Sequence, residues 1–344
     1  MYNMEIFNSF LHGLNAYTQS EIDEIEEHYA VAITTRDRIQ IVNAFLSSLS
    51  VCFRYNHTEL PMSLVSLILS FQKDLAILNL PRKAVERGAL VFRSLFVREI
   101  ADLRVKLSKN MPEHAKEFLS RGYVSIKNFL SRERLDSIRN DISRFPIGTS
   151  KETATIISKI SPRENLHLHD FLWNTRLREY VFDCMFLPDD HPDASDQFRD
   201  NTFVQRVHNI PGDKDIQKIM HMDTYFDATK FWYFPKEVRL ENGPVSFSPY
   251  SNQMSIERLN WMQDSYMKFY NKEIEPERGY GHAQGSLRAF PQEIDDMNLN
   301  IKFIEVPENT LVIANVFGFH GRGEATIESI RESIHGSIRL CAPW

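Results

Sequence analysis

Two kinds of apolar pattern divide the chain. Up to about residue 110, apolar positions recur every three or four residues. Ile39, Val42, Leu46 and Leu49 follow the capping residue Thr35; Leu64, Leu67, Ile68, Phe71, Leu75 and Leu78 lie between Pro61 and Pro81; Val85, Leu90, Leu95, Ile100 and Leu103 come next. That spacing predicts helices. Residues 1–110 therefore read as a helical N-terminal region, a cap or a homodimerisation layer, with no catalytic pattern in it. At Asn110-Met111-Pro112 the pattern changes. Gly122 is placed to end a short helix in a left-handed cap, Tyr123 to Ile126 alternates like a strand, and Ser131 opens a helix with Leu135, Ile138 and Ile142 on one face. Beyond about residue 200 the apolar runs become short and β-like: Thr202 to Val204, Pro244 to Phe247, Ile301 to Ile304 and Thr310 to Phe317, separated by Pro, Gly and Asn. Short strands with such turns predict an antiparallel sandwich or barrel. Residues 111–344 thus form a mainly β domain with flanking helices. An insertion at about 254–300 carries a helix from Ile256 to Phe269 and then a Gly-rich loop.

Composition adds limits. Of 344 residues, 42% are hydrophobic and 25% charged, which supports a well-buried core rather than a disordered chain. The formal net charge of −6 gives no electrostatic reason to expect nucleic acid as a partner. Cys52, Cys184 and Cys341 are odd in number and far apart, so neither a disulfide framework nor a zinc ribbon is expected, and a reducing cytoplasm is the simpler setting. Met1 to Phe10 lacks a basic region followed by an apolar run, so no secretory leader is expected. Leu64 to Leu80 is interrupted by Gln72, Lys73 and Asp74, as befits a core helix and not a membrane span.

Among 12 histidines, two His-x-Asp pairs occur. His191-Pro-Asp193 lies in a run with two prolines and four acids, an exposed loop that would not orient ligands. His221-Met-Asp223 has strand spacing, so both side chains can reach one ion. A neutral imidazole and a carboxylate suit a divalent first-row metal. His320, which closes the strand-like run from Thr310 to Phe319, supplies a third ligand. Eleven residues further on comes Arg331. If that segment is the next antiparallel strand, its guanidinium returns to the depth of the metal as a fork for a carboxylate; otherwise Arg331 is a surface partner of Glu328 or Glu332. Two histidines, one carboxylate and open positions describe the facial triad of non-haem Fe(II) oxygenases. His167-Leu-His169-Asp170 is a second candidate cluster. His208 and His282 stand alone, and His335 falls on the same face as Arg331. Arg322 is a candidate contact for an anionic substrate. Tyr225, Phe226, Phe231, Trp232 and Tyr233 either wall a pocket or pack a core.

With these residues in order, residues 111 to 340 resemble the phytanoyl-CoA dioxygenase (PhyH-like) family of Fe(II)/2-oxoglutarate-dependent dioxygenases. The resemblance runs through Phe118-Leu-Ser-Arg-Gly-Tyr-Val-Ser-Ile-Lys-Asn-Phe-Leu-Ser131, His221-Met-Asp223, Asn242-Gly-Pro-Val-Ser-Phe-Ser-Pro-Tyr-Ser-Asn252, Val306-Pro-Glu-Asn-Thr-Leu-Val-Ile313, then His320 and Arg331. Departures fall at Tyr250 and Asn252, where the family carries glycine and histidine, at Arg322, where many members carry a small hydroxyl residue, and in the long gap between Asp223 and His320.

The resemblance implies a double-stranded β-helix of jelly-roll type with Fe(II) on His221, Asp223 and His320. It implies 2-oxoglutarate as co-substrate, its far carboxylate on Arg331 with Ser333 and Gln205 as further contacts, and O2 as oxidant. The implied activity is hydroxylation of an unactivated C–H bond in a small-molecule or lipid-like metabolite. Desaturation or cyclisation with the same cofactors, a non-catalytic metal-binding jelly roll, and a zinc or manganese hydrolase of cupin type are the alternatives.

Overall fold

The computed structural model describes Arg98, Ala101, Val105, Ser108, Phe198, Glu273 and residues 111–149, 158–161, 163–173, 175–187, 201–223, 228–271 and 286–339. The predicted N-terminal helices, His191 to Asp193, Tyr225, Phe226, His282, Cys52, Cys341 and most of the Gly-rich loop lie outside the described residues.

Among the described residues, twelve strands form two sheets. The larger takes β1 (Tyr123–Ile126), β2 (Gly148–Thr149), β3 (Ser158–Lys159), β4 (Thr202–Asn209), β6 (Ala228–Phe234), β10 (Thr310–Asn315) and β12 (Ser329–Arg339). Its order is β1-β10-β6-β12-β4-β2, with β3 also on β4. The smaller takes β5 (His221–Asp223), β7 (Val245–Phe247), β8 (Ser286–Arg288), β9 (Lys302–Ile304) and β11 (His320–Arg322), in the order β8-β5-β11-β7-β9. Every pairing is antiparallel except β2 with β4.

The larger sheet is buried on both faces, which is why Phe231-Trp-Tyr-Phe234 reads as an unbroken apolar run. Phe231, Tyr233, Leu311, Ile313, Ile334 and Ile338 face the helices α1 (Glu113–Arg121), α2 (Arg132–Ile142), α3 (Leu166–Leu172) and α4 (Thr175–Met185). Trp232, Phe234, Val312 and Ala314 face the other way and pack on Val245, Phe247 and Ile304 of the smaller sheet. The result is an antiparallel sandwich backed by helices. α5 (Ile256–Tyr270) comes from the predicted insertion and covers the outer side of the smaller sheet, where Trp261 meets Phe319 edge-on at 5.0 Å. That insertion also contributes β8 and α6 (Pro291–Asp296), neither visible in the apolar pattern.

The local expectations around residues 113–142 match the structure. Gly122 caps α1 at φ 85°, and Ser131 Oγ accepts from Arg134 N–H at the start of α2. The motifs hold one another. Asn309 accepts Leu130 N–H (2.9 Å) and Tyr233 O–H (2.9 Å) and donates to Leu130 O (2.8 Å), so Phe129-Leu-Ser131 is fastened to Pro307-Glu-Asn309 across the sheet edge.

The expected single strand from Thr310 to Phe319 is corrected. The strand ends at Asn315, whose side-chain oxygen accepts Phe317 N–H (3.0 Å) and bends the chain into the other sheet. Gly318 sits in that bend so close to Phe247 that a Cβ would approach its ring to 2.7 Å. His320 then begins β11 in the smaller sheet. β12 is therefore not the hairpin partner of β11; it lies in the larger sheet between β4 and β6.

Candidate metal centre between the sheets

β5 places His221 and Asp223 on the inner face. His221 is paired directly with His320 of β11, which in turn faces Phe247 of β7. Residues directly opposite on antiparallel strands share a face, so both imidazoles point into the sandwich. Among the described residues, His221, Asp223 and His320 are the group of His, Cys, Asp or Glu side chains whose ligand atoms all lie within 4.8 Å of one another. His221 Nε2 is 3.9 Å from Asp223 Oδ1, and His320 Nε2 is 3.7 Å from Asp223 Oδ2. The ring centroids stand 4.4 Å apart.

Both rings are held the same way. His221 Nδ1 bonds Ile219 O (2.8 Å) and His320 Nδ1 bonds Gly318 O (3.0 Å). Nδ1 is therefore the protonated nitrogen, and each Nε2 lone pair turns inward, the arrangement a metal-ligating histidine needs. His320 Nε2 is buried with no hydrogen-bond partner, an orphaned acceptor that a metal ion satisfies. Ligands at about 2.1 Å from one ion stand at most about 4.2 Å apart, so both imidazole-to-carboxylate separations lie within the reach of a single divalent ion.

Ser286 of β8 donates to Asp223 Oδ1 (2.9 Å), while the Lys230 ammonium of β6 forms an ion pair with Oδ2. Burial alone would raise the Asp223 pKa, but Lys230, His320 and His221 together hold it well below the usual carboxylate range. Burial lowers His221 to about 4, opposed by Asp223 and assisted by Arg288 and Lys230. His320 is lowered by burial and by His221. The site is two neutral imidazoles and one carboxylate at neutral pH.

Asn242 to Asn252 serves the site from behind. Ser248 N–H donates to Phe319 O (2.9 Å) and Phe319 N–H to Ser251 Oγ (2.8 Å), which fixes the backbone just before His320. From α5, the Arg258 guanidinium bonds Phe317 O and lies over the Phe317 ring at 4.8 Å. The helix of the insertion thus braces the same bend.

Arg331, Ser333 and His335 alternate on the inner face of β12, opposite Val207, Gln205 and Phe203 of β4. Arg331 is buried and bonds Gly243 O; it is no surface partner of its neighbours, since Glu328 pairs with His208 (2.7 Å) and Glu332 with Arg206 (3.0 Å) and Lys236 (2.9 Å). Its pKa is pushed down to about 9 by burial and by Arg322, so it stays charged at neutral pH. Ser333 Oγ reaches toward Gln205 Oε1 at 3.5 Å. His335 Nδ1 bonds Phe231 O (3.0 Å), and its ring stacks on Trp232 at 5.0 Å. Of the aromatic candidates, Trp232 faces the interior of the sandwich, while Phe231 and Tyr233 pack under the helices. His167 and His169 lie on α3, where His169 Nε2 accepts the Trp173 indole N–H (2.9 Å).

Four side chains were not identified from sequence: Lys230, Arg288, Asp215 and Ser286. Arg322, singled out there, is buried and paired with Asp215 at 2.5 Å. Lys230 alternates with Trp232 and Phe234 along β6, and a lysine inside so apolar a strand was the one available signal.

No family model matches the sequence, and no curated protein matches it. The phytanoyl-CoA dioxygenase resemblance therefore rests on the motifs alone. Solved structures with partial similarity include three proteins. They are the epimerase SnoN in complex with Fe3+, alpha ketoglutarate and nogalamycin RO (11% identity, 65% of this chain and 81% of that chain, TM-score 0.42), HygX from Streptomyces hygroscopicus with nickel and 2-oxoglutarate bound (11%, 67% and 86%, 0.41), and the carbocyclase SnoK from nogalamycin biosynthesis (13%, 69% and 85%, 0.39). Likeness at this level carries no argument about chemistry. No helix among the described residues is long and apolar enough to cross a membrane.

Proposed function

We propose that this chain is a mononuclear non-haem Fe(II) oxygenase that takes 2-oxoglutarate as co-substrate and O2 as oxidant, and that its catalytic unit, residues 111–344, is a double-stranded β-helix. The strand order supports the fold. The chain passes from β4 to β5, β6 and β7 by changing sheets each time, turns back through the β7–β9 pairing, and changes sheets again at β10, β11 and β12. That path is the jelly-roll alternation of the PhyH-like resemblance.

One observation carries the function: two inward Nε2 atoms and one carboxylate meet in a buried space between the sheets, and we assign Arg331, buried on the inner face of β12 in the facing sheet, to the same space. Two imidazoles and a carboxylate leave three positions of an octahedron open, and this donor set suits Fe(II). Bound there, Fe(II) supplies the redox chemistry by which O2 and 2-oxoglutarate yield succinate and CO2, one oxygen atom entering succinate and the other the substrate's C–H bond.

The protein's own part is geometric and electrostatic. His221 and His320 donate as neutral bases because burial keeps protons off them. Ser286 orients Asp223. Arg331 takes the far carboxylate of 2-oxoglutarate, with Ser333 and Gln205 beside it, so that the 2-oxo acid end is directed to the metal. Trp232, Val245 and Phe247 keep the interior dry, which strengthens each of these contacts. The substrate is a small molecule, hydroxylated at an unactivated carbon.

The test is succinate release from 2-oxoglutarate in the presence of Fe(II) and O2. Wild-type protein turns over 2-oxoglutarate slowly without added substrate, and His221→Ala and Asp223→Ala do not. Arg331→Met raises the 2-oxoglutarate KM by roughly thirtyfold or more, the loss expected when one partner of a buried charge pair is removed. Metal binding without any succinate release rejects the oxygenase reading.

A further inference from the structure

Asp223 meets the two sheets with different oxygens. Its Oδ1 accepts the Ser286 hydroxyl of β8 (2.9 Å), while its Oδ2 is in contact with the Lys230 ammonium of β6, from the facing sheet. The same two oxygens face different rings: Oδ1 stands 3.9 Å from His221 Nε2 and Oδ2 3.7 Å from His320 Nε2. The carboxylate is thus broadside to the imidazoles, and an ion between the rings has either oxygen, or both, within reach.

The sheet builds Lys230 into that contact. It sits opposite Ala314 of β10 and Ser337 of β12, two short side chains, and alternates with Trp232 and Phe234 on the face turned to the smaller sheet. Its side chain is 17% exposed and that of Asp223 5%, so little solvent screens the pair. Stability does not explain a lysine there. A buried ion pair commonly holds a fold together no better than apolar side chains of the same size, and the strand continues from Phe231 to Phe234 as four aromatic residues.

The pair matters to the donor set instead. Each carboxylate oxygen has two lone pairs. A neutral hydroxyl on Oδ1 leaves the second one for a metal. On Oδ2 a divalent ion would meet the ammonium at close range, cation against cation. Two imidazoles and one carboxylate oxygen leave three octahedral positions open, and a second carboxylate oxygen takes one of them. A bidentate 2-oxo acid fills two, which leaves one for the oxidant only while Asp223 binds through a single oxygen.

Resting on the Fe(II) and 2-oxoglutarate reading above, we propose that Lys230 is a positioning residue that keeps Asp223 to a single metal bond. Its ammonium retains Oδ2, Oδ1 ligates the ion, and Ser286 steadies the plane of the carboxylate. Lys230 therefore sets how many positions on the metal stay open.

The experiment loads the full chain with Mn(II) and compares wild type with Lys230→Met, close in length but uncharged, and Lys230→Arg, which keeps a cation. Water-proton relaxivity counts the positions open to water. It is expected to fall by about a third in Lys230→Met, from three positions to two, and to keep the wild-type value in Lys230→Arg. Lys230→Met binds Mn(II) at least as tightly as wild type, since a ligand atom is gained and a nearby cation removed. 2-Oxoglutarate, titrated next by calorimetry, must displace that second oxygen and binds Lys230→Met about tenfold more weakly. Equal relaxivity in wild type and Lys230→Met overturns the inference, whatever 2-oxoglutarate does. So does a Lys230→Met protein that loses Mn(II) or unfolds, which makes the lysine a structural prop, or a Lys230→Arg protein that behaves as Lys230→Met. Wild type that binds Mn(II) but no 2-oxoglutarate overturns the co-substrate reading, and the relaxivities then judge Lys230 by themselves.

Discussion

His320 Nε2 has no hydrogen-bond partner, although its ring is buried and its Nδ1 is committed to Gly318 O. An orphaned acceptor of this kind is tolerated where a ligand completes it, and the same commitment of Nδ1 at His221 makes the pair symmetrical about Asp223. Burial is also why these rings refuse protons. His221 is lowered to about 4, and His335, lowered by burial and then by Lys230, to about 3. Between those values and the ordinary 6.5 the unfolded chain binds protons that the folded chain does not, so stability rises with pH across that window. The lowered Asp223 acts in the same direction at still lower pH, its contribution lost as pH falls through its folded value. The urea midpoint of the metal-free protein is expected to fall as pH is lowered from 6.5 to 4, and less steeply in His335→Gln. A midpoint constant across that range means that these rings are not buried as described.

At the scale of elements, β5 and the bend between β10 and β11 show where the sequence was readable and where it was not. The His-x-Asp spacing on β5 was legible because a short strand with both ligands on one face leaves a two-residue signature. The bend between β10 and β11 was not. Leu311 to Phe319 is almost wholly apolar and buried on both sides, so no alternation marks the point at which Asn315 redirects the chain. Lys230 was missed for a related reason: the run that follows it is buried on both faces and does not reveal which face the lysine shares. Arg288 lies in a three-residue strand with no period to read.

The departure at Tyr250 acquires a physical meaning. Its φ is 67°, the left-handed region where the resembling family carries glycine, and its side chain is 58% exposed. A non-glycine residue there costs about 1 kcal/mol. Tyr250→Gly is therefore expected to stabilise the fold by up to ~1 kcal/mol, read as a higher urea midpoint, and Tyr250→Val, with a β-branched side chain in the same backbone, to lower the midpoint. A large destabilisation by glycine would mean that the tyrosine ring packs against something that its exposure does not suggest.

At the scale of the whole molecule, the candidate metal site lies between the two sheets. β5 and β11 bring the triad, β6 brings Lys230 onto Asp223 from the facing sheet, and α5 braces the bend between β10 and β11. A ligand that binds only the folded state stabilises it by mass action, about 2.7 kcal/mol at a hundredfold excess over Kd. Ni(II) is thus expected to raise the melting temperature of wild-type protein and of Arg331→Met but not of His320→Ala, and 2-oxoglutarate to add to the wild type alone. Equal shifts in all three place the metal elsewhere.

The central claim is that His221, Asp223 and His320 hold one Fe(II) with room for a bidentate 2-oxo acid. The most direct measurement is the visible absorption of the protein mixed anaerobically with Fe(II) and then 2-oxoglutarate. The account predicts a weak metal-to-ligand charge-transfer band that saturates at one Fe(II) per chain and disappears in His221→Ala. Fe(II) bound without any such band on adding 2-oxoglutarate, or a band that survives in His221→Ala, contradicts it.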